Sequence, residues 1–300
     1  MKNSKLAICS VLTALLLTGC SSSKPADKEE NASVNPEEST EPVKEETEEF
    51  TFEEITPVDN EFCSVTIREI DPDSIWGYTL KAVLENKSTD KTYMYSIESA
   101  TVNGVHCDPL FANEIAPGKK SNEDITLSSN TLKENGISDF TDIELVFRIY
   151  DSNDWSADPV FHDAVHIYPQ GEDKAVQFVR EPASGDQILI DNDQVSVIVT
   201  GYDPDSIWGY SINLYLVNKT DQNLMYSVDG ASINGFMADP FFATTVNASR
   251  SEFTSLSWSN SKLEENGITD VEEIEFTLRV YSPDNFGADD LVNEVIKLNP

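Results

Sequence analysis

Apolar residues along most of this chain recur at every second position, the period of a strand with one face buried. Cys63, Val65 and Ile67 alternate with polar neighbours, and so do Val195, Val197 and Val199. Tyr78, Leu80, Ala82 and Leu84 form another run, broken only by Val83. Ile143, Leu145, Phe147 and Ile149 form a third kind, matched by Ile274, Phe276, Leu278 and Val280. Turn signals separate the runs: Asp-Pro, Asn-Lys-Ser, Asn-Gly and Pro-Gly. A single helical turn or two is expected after Ser128 or Ser129, either of which can cap it, with Leu132 inward and Gly136 as a left-handed stop. Many short strands at this spacing predict an all-β chain built of antiparallel sandwiches.

The runs come in pairs because the chain repeats itself. Residues 59–169 align with 191–300, and the octapeptide DPDSIWGY stands at both Asp71–Tyr78 and Asp203–Tyr210. VNG at 102–104 matches ING at 233–235, DPLFA at 108–112 matches DPFFA at 239–243, and LKENGI at 132–137 matches LEENGI at 263–268. A repeat this long is a domain rather than a solenoid unit. Two β-sandwich repeats are therefore expected, at 59–169 and 187–300, joined by a linker at 170–186.

Two resemblances add to this. The tract LENKS (84–88), YSI (95–97) and VNG, followed by ENGI and IELVFRIY, resembles domains of unknown function in lipoproteins of Gram-positive bacteria. It implies tandem immunoglobulin-like sandwiches and an envelope role, and it brings no activity. At the N-terminus, Lys2 and Lys5 precede an apolar run from Leu6 to Leu17 and then LTGC at 17–20. The ending resembles the lipobox of bacterial lipoproteins. It implies that residues 1–19 are a signal peptide and that Cys20 carries lipid, so the rest is extracytoplasmic and anchored to the cell membrane. The apolar run falls short of the roughly 20 residues that span a bilayer.

Residues 20–58 are rich in Glu, Ser, Thr and Pro and nearly lack apolar side chains before Phe50. Such a segment cannot offset its ordering entropy by burial, so it reads as a disordered acidic tether, with a reach of roughly 35 Å. The whole chain has 20 basic and 54 acidic residues, a formal charge of −34. That field excludes nucleic acid as a partner and disfavours docking on anionic lipid heads. The membrane is reached through the lipid on Cys20.

The octapeptide has two readings. In one it is a corner: Pro72 sets a type I turn, and Trp76 closes the end of the sandwich core. In the other it is a ligand platform. Trp76 and Tyr78, with Trp208 and Tyr210 in the second copy, then stack on a sugar or peptide, while Asp71, Asp73, Asp203 and Asp205 supply hydrogen bonds. An EF-hand fit fails, because Ile75, Trp76 and Ala82 stand where an oxygen ligand, a glycine and the bidentate glutamate belong. Calcium held by Asp71 and Asp73 with Asp108 or Asp154 from other loops stays open, as does the equivalent set Asp203, Asp205, Asp239 and Asn285.

Cys63 and Cys107 are replaced together in the second copy, by Val195 and Ala238. Either they form a disulfide, closing a loop worth on the order of 4 kcal/mol, or they are two buried thiols. His106, His162 and His166 map to Met237, Asn293 and Lys297, which argues against a shared catalytic role. His162 and His166 lie on a strand, roughly 13 Å apart, too far for one metal. No serine-hydrolase elbow, zinc-protease helix or phosphate loop occurs. The expected protein is not an enzyme and needs no cofactor. It is a lipid-anchored surface protein whose two repeats bind an envelope protein or a glycan; the alternative is a structural spacer of the envelope.

Overall fold

A computed structural model describes residues 52–107, 109–285 and 287–300. The expected signal peptide, Cys20, and the expected tether up to residue 51 lie outside these residues. Among them no helix is long and apolar enough to cross a membrane.

The described chain is all-β. The first repeat runs through β1 (Ile55–Asp59), β2 (Cys63–Asp71), β3 (Tyr78–Asn86), β4 (Tyr93–Val102), β5 (Val105–His106), β6 (Ala112–Ile115) and β7 (Lys120–Leu127). Helix α1 (Ser129–Glu134), β8 (Ile143–Asp151) and β9 (Phe161–Ile167) complete it. The second repeat has the same order: β10 (Gln187–Asp191), β11 (Val195–Ser206), β12 (Gly209–Asn218), β13 (Leu224–Ile233), β14 (Phe236–Met237), β15 (Ala243–Val246), β16 (Ser251–Trp258), α2 (Asn260–Glu265), β17 (Ile274–Tyr281) and β18 (Val292–Leu298). Strand β1 takes in residues 55–58, which the sequence reading assigned to the tether. Val58 is buried and Phe52 packs on the core, so the folded part starts earlier than composition suggests.

In the first repeat one antiparallel sheet has the order β1-β2-β3-β7 and the other β5-β4-β8-β9, with β6 also on β4. Val65, Ile67, Leu80 and Ile125 from the first sheet meet Tyr95, Ile143, Leu145 and Phe147 from the second in one core. The second repeat repeats this arrangement, β10-β11-β12-β16 against β14-β13-β17-β18, around Val197, Leu214, Leu256, Tyr226, Phe276 and Leu278. The alternation seen in sequence is the inward face of each strand.

The repeats are joined by more than the linker. Ser251 N–H donates to the Gly104 carbonyl at 3.0 Å, pairing β16 with β5 in parallel and fusing one sheet of each repeat into a nine-stranded sheet. From the linker, Phe178 N–H donates to the Asn103 carbonyl at 2.8 Å, and its ring sits 6.1 Å from Phe253 and 6.5 Å from Tyr215. Arg250 of the second repeat pairs with Glu144 of the first, and Glu144 also meets His166 Nε2 at 3.3 Å. His166 Nδ1 lies 2.7 Å from Asp142.

The linker is itself tied: Arg180 donates to both oxygens of Asp186 at 2.6 and 2.7 Å. That guanidinium holds the Asp186 carboxyl down to about 2. A carboxyl with a depressed folded pKa stabilises the fold above its unfolded pKa and stops doing so as pH falls through the folded value. Asp186→Asn is expected to cost about 1 kcal/mol at pH 6. In urea unfolding series, the gap between wild type and variant should shrink from about pH 4 downward and close below about 2.

Candidate functional site

The repeated octapeptide forms the tip of the hairpin between β2 and β3, and again between β11 and β12. Most of its letters have a structural reason. The Asp71 side chain accepts from Asp73 N–H at 3.2 Å, and Ser74 Oγ accepts from Trp76 N–H at 3.3 Å. The second copy repeats both bonds, Asp205 N–H to Asp203 at 3.1 Å and Trp208 N–H to Ser206 at 3.2 Å. Side chains that cap their own turn in this way fix its conformation locally. Gly77 has φ +124°, and a Cβ there would lie 2.5 Å from the Leu127 carbonyl oxygen. Gly209 has φ +101°, and its Cβ would lie 2.1 Å from the Trp258 carbonyl oxygen. Gly209→Ala therefore meets both a forbidden conformation and an immovable backbone atom. It should cost more than about 2 kcal/mol, read as a fall in unfolding midpoint.

Tyr78 and Tyr210 are each only 7% exposed, so neither belongs to an accessible platform. Their rings enter the two cores, where burial pushes the Tyr210 hydroxyl up to about 12 and that of Tyr78 higher still. Each tyrosine lies on the strand parity of the buried residues that follow it, Leu80 and Ala82 or Ile212 and Leu214, whereas each tryptophan precedes its strand, in the turn on the far side of a positive-φ glycine. Trp76 and Trp208, in contrast, are 78% and 68% exposed, and the isoleucines before them, Ile75 and Ile207, stand out even further. Trp76 does not close the core. The tryptophan with a core place in the second repeat is Trp258, fully buried, whose indole N–H donates to the Ala238 carbonyl at 2.8 Å.

Each hairpin thus presents an isoleucine and a tryptophan on a rigid, self-capped turn, flanked by the exposed carboxylate of Asp73 or Asp205. The two tips differ in their setting. In the first repeat Phe140 packs against Tyr78 in a tilted pair, centroids 4.5 Å apart. Its counterpart in the second repeat is Val271, and there a cavity of about 310 Å³ opens beside the tip, lined by Pro204, Tyr210, Leu263, Ile268 and Val271 among others.

The other candidates separate. Cys63 and Cys107 are both buried and do not bond to each other. Cys63 lies opposite Asn86 at the end of β3, with Sγ 3.5 Å from Asn60 Oδ1. Cys107 Sγ donates to the Ser128 carbonyl at 3.1 Å, next to Leu127, which pairs with Tyr78 at the start of β3. A nine-residue strand spans about 26 Å, far beyond the roughly 7 Å a disulfide allows. Burial pushes the Cys63 thiol up to about 11, against the opposing effect of its hydrogen bond to Asn60, so it remains a neutral thiol at physiological pH. Their joint absence from the second copy is therefore not the loss of a bond between them. Around Cys107 the pair is Cys107 with Leu127; in the second repeat it is Ala238 with Trp258, a smaller residue making room for a larger one.

Among the described residues no group of three His, Cys, Asp or Glu converges as a metal site. Asp71 is engaged by its own turn and Asp154 by Ser156 Oγ at 2.8 Å, while Asp108 lies outside the described residues. His162 pairs with Glu98 at 2.8 Å. A polar groove of about 760 Å³ between the repeats is lined by Glu98, His162, Glu144, Asn247 and Arg250 among others. Glu144 is held by Arg250 across the junction, and Glu98 by Arg148 and His162 within the first repeat. Sequence reasoning missed Ile75, Ile207 and the Arg250–Glu144 lock. The two isoleucines carried one signal, a large aliphatic residue within a turn on both occasions.

No family model matches the chain, and no curated protein matches it. Among solved structures it is similar to the crystal structure of Amycolatopsis orientalis exo-chitosanase CsxA, at 10% identity and a TM-score of 0.23. That similarity covers 80% of this chain and 27% of the enzyme. A likeness this slight carries no argument about activity.

Proposed function

We propose that the chain is a lipid-anchored extracytoplasmic protein whose two repeats, tandem immunoglobulin-like sandwiches, are non-catalytic binding modules. The lipobox-like LTGC and Cys20 support the anchor. The exposed Ile-Trp tips carry the binding reading. Asp71, Ser74, Gly77 and Tyr78 are each explained by the turn or the core, whereas Ile75 and Trp76 recur in the second copy although both are exposed in each. Two large apolar residues on a convex, pre-ordered tip lose little entropy on docking, which suits hot-spot anchors. A protruding tip fits a pocket in a protein better than it fits the flat face of a sugar, and Asp73 and Asp205 favour a basic rim around that pocket.

The test is an array of extracellular proteins and neutral glycans probed with the full chain and with the Trp76→Ala/Trp208→Ala variant. Signals that vanish with the variant support the reading. Signals that persist unchanged, or a blank array, favour the spacer alternative, for which the interlocked junction between repeats is the supporting observation.

A further inference from the structure

The contact that joins the repeats has two halves, and each chain holds a second, unused version of both. The receiving half in the first repeat is the turn Asn103-Gly104 leading into β5. Its carbonyl at Gly104 takes Ser251, and Val105 is fully buried. The second repeat has the same turn: Asn234 and Gly235 have φ 49° and 81°, against 52° and 81° for Asn103 and Gly104. Here β14 forms the edge of its sheet, and Phe236 and Met237, which follow that turn, are 49% and 66% exposed. The inserting half in the second repeat is Arg250-Ser251, entering β16. Its counterpart in the first repeat is Lys119-Lys120, entering β7, an edge strand, and both lysines are exposed.

The charges correspond as well. Arg250 pairs with Glu144 at the internal junction. Lys119 stands in the place of Arg250, and Glu275 stands in the place of Glu144; Glu273 likewise replaces Asp142. In a chain with so few cations, a Lys-Lys turn at one end and acidic residues at the matching end are complementary.

We infer that copies of this chain dock head to tail, the Lys119–Lys120 turn of one copy on the Gly235–Phe236 edge of the next. Lys120 N–H meets the Gly235 carbonyl, and Lys119 meets Glu275. The contact is heterologous, so it propagates rather than closing at a dimer. It is weaker than the internal junction, because Val83 and Asn122 replace Tyr215 and Phe253 and the linker's Phe178 has no part in it. Lys297, which pairs with Glu275 within the chain, must share that carboxylate. Phe236 and Met237 supply the apolar area instead.

Sedimentation velocity on the full chain in excess detergent tests this. The particle mass should rise with chain concentration past the dimer, and added salt should reduce the rise. Lys119→Glu spoils the inserting half and Phe236→Asp the receiving half; both positions are exposed, so folding is spared, which matching unfolding curves verify. Each variant alone should associate at least tenfold more weakly. An equal mixture should stop at a dimer, since one intact contact remains between unlike chains. A mass that stays at one chain up to about 1 mM, a wild type that halts at a dimer, or variants that associate as wild type does, overturns the inference.

Discussion

Replacing Trp76 and Trp208 together by alanine is expected to abolish ligand retention while leaving the unfolding transition where it was. Truncating a tryptophan anchor in an interface costs about 2–4 kcal/mol, a loss of roughly 30-fold to 1,000-fold for one tip. Under the proposed binding role, two tips on one chain would engage a multivalent surface together, and that avidity would add about 10²–10⁴. Each single variant should therefore fall to single-tip affinity, and the double variant below detection. The fold should not notice, because both rings are mostly in solvent and exposed substitutions usually stay within about 0.5 kcal/mol. Surface-immobilised partner binding and thermal unfolding, run on the same samples, separate the two effects.

Trp258→Ala should do the reverse. This ring is fully buried among the second core's residues and its N–H satisfies the Ala238 carbonyl. Its removal is expected to cost about 3–5 kcal/mol from the cavity and the orphaned carbonyl. The first repeat shows how the space can be filled otherwise, with Leu127 and Cys107 in the same places. Trp258→Leu should thus be milder than Trp258→Ala, and adding Ala238→Cys should recover part of the remainder. Denaturant unfolding of wild type, Trp258→Leu, Ala238→Cys and the two together gives the coupling as a double-mutant cycle.

Much of the fold was legible because strand faces are written at period two and the whole pattern occurs twice. Val65, Leu80, Ile143 and Phe276 were all assigned inward and all are buried. The short helix after Ser128 and the Gly136 stop follow from local chemistry, and α1 lies there with Gly136 at φ 84°, but Ser128 makes no side-chain capping bond; that bond forms in the second repeat, where Ser259 accepts from Lys262 N–H. What sequence did not reveal depends on long-range geometry. The start of β1 is hidden because its residues sit in an acidic stretch and pair with β2 only across a turn. The distance between Cys63 and Cys107 follows from which end of β3 each one meets. Within the octapeptide, tryptophan and tyrosine look alike as aromatic platform residues; Trp76 lies in the turn and is exposed, while Tyr78, after the positive-φ Gly77, opens β3 and is buried. The junction between repeats escaped entirely, since Arg250 and Glu144 lie 106 positions apart and neither belongs to a motif.

The most direct measurement is acrylamide quenching of tryptophan fluorescence in the full chain, compared with a Trp76→Phe/Trp208→Phe variant. Subtracting the two isolates the repeated tryptophans from Trp155 and Trp258. The account predicts that their emission is red-shifted and readily quenched in the free protein, and becomes blue-shifted and protected when a partner found on the array is added. Blue-shifted, unquenched emission from the free protein would contradict it, because the tips would then be part of the folded interior and not a surface held out for binding.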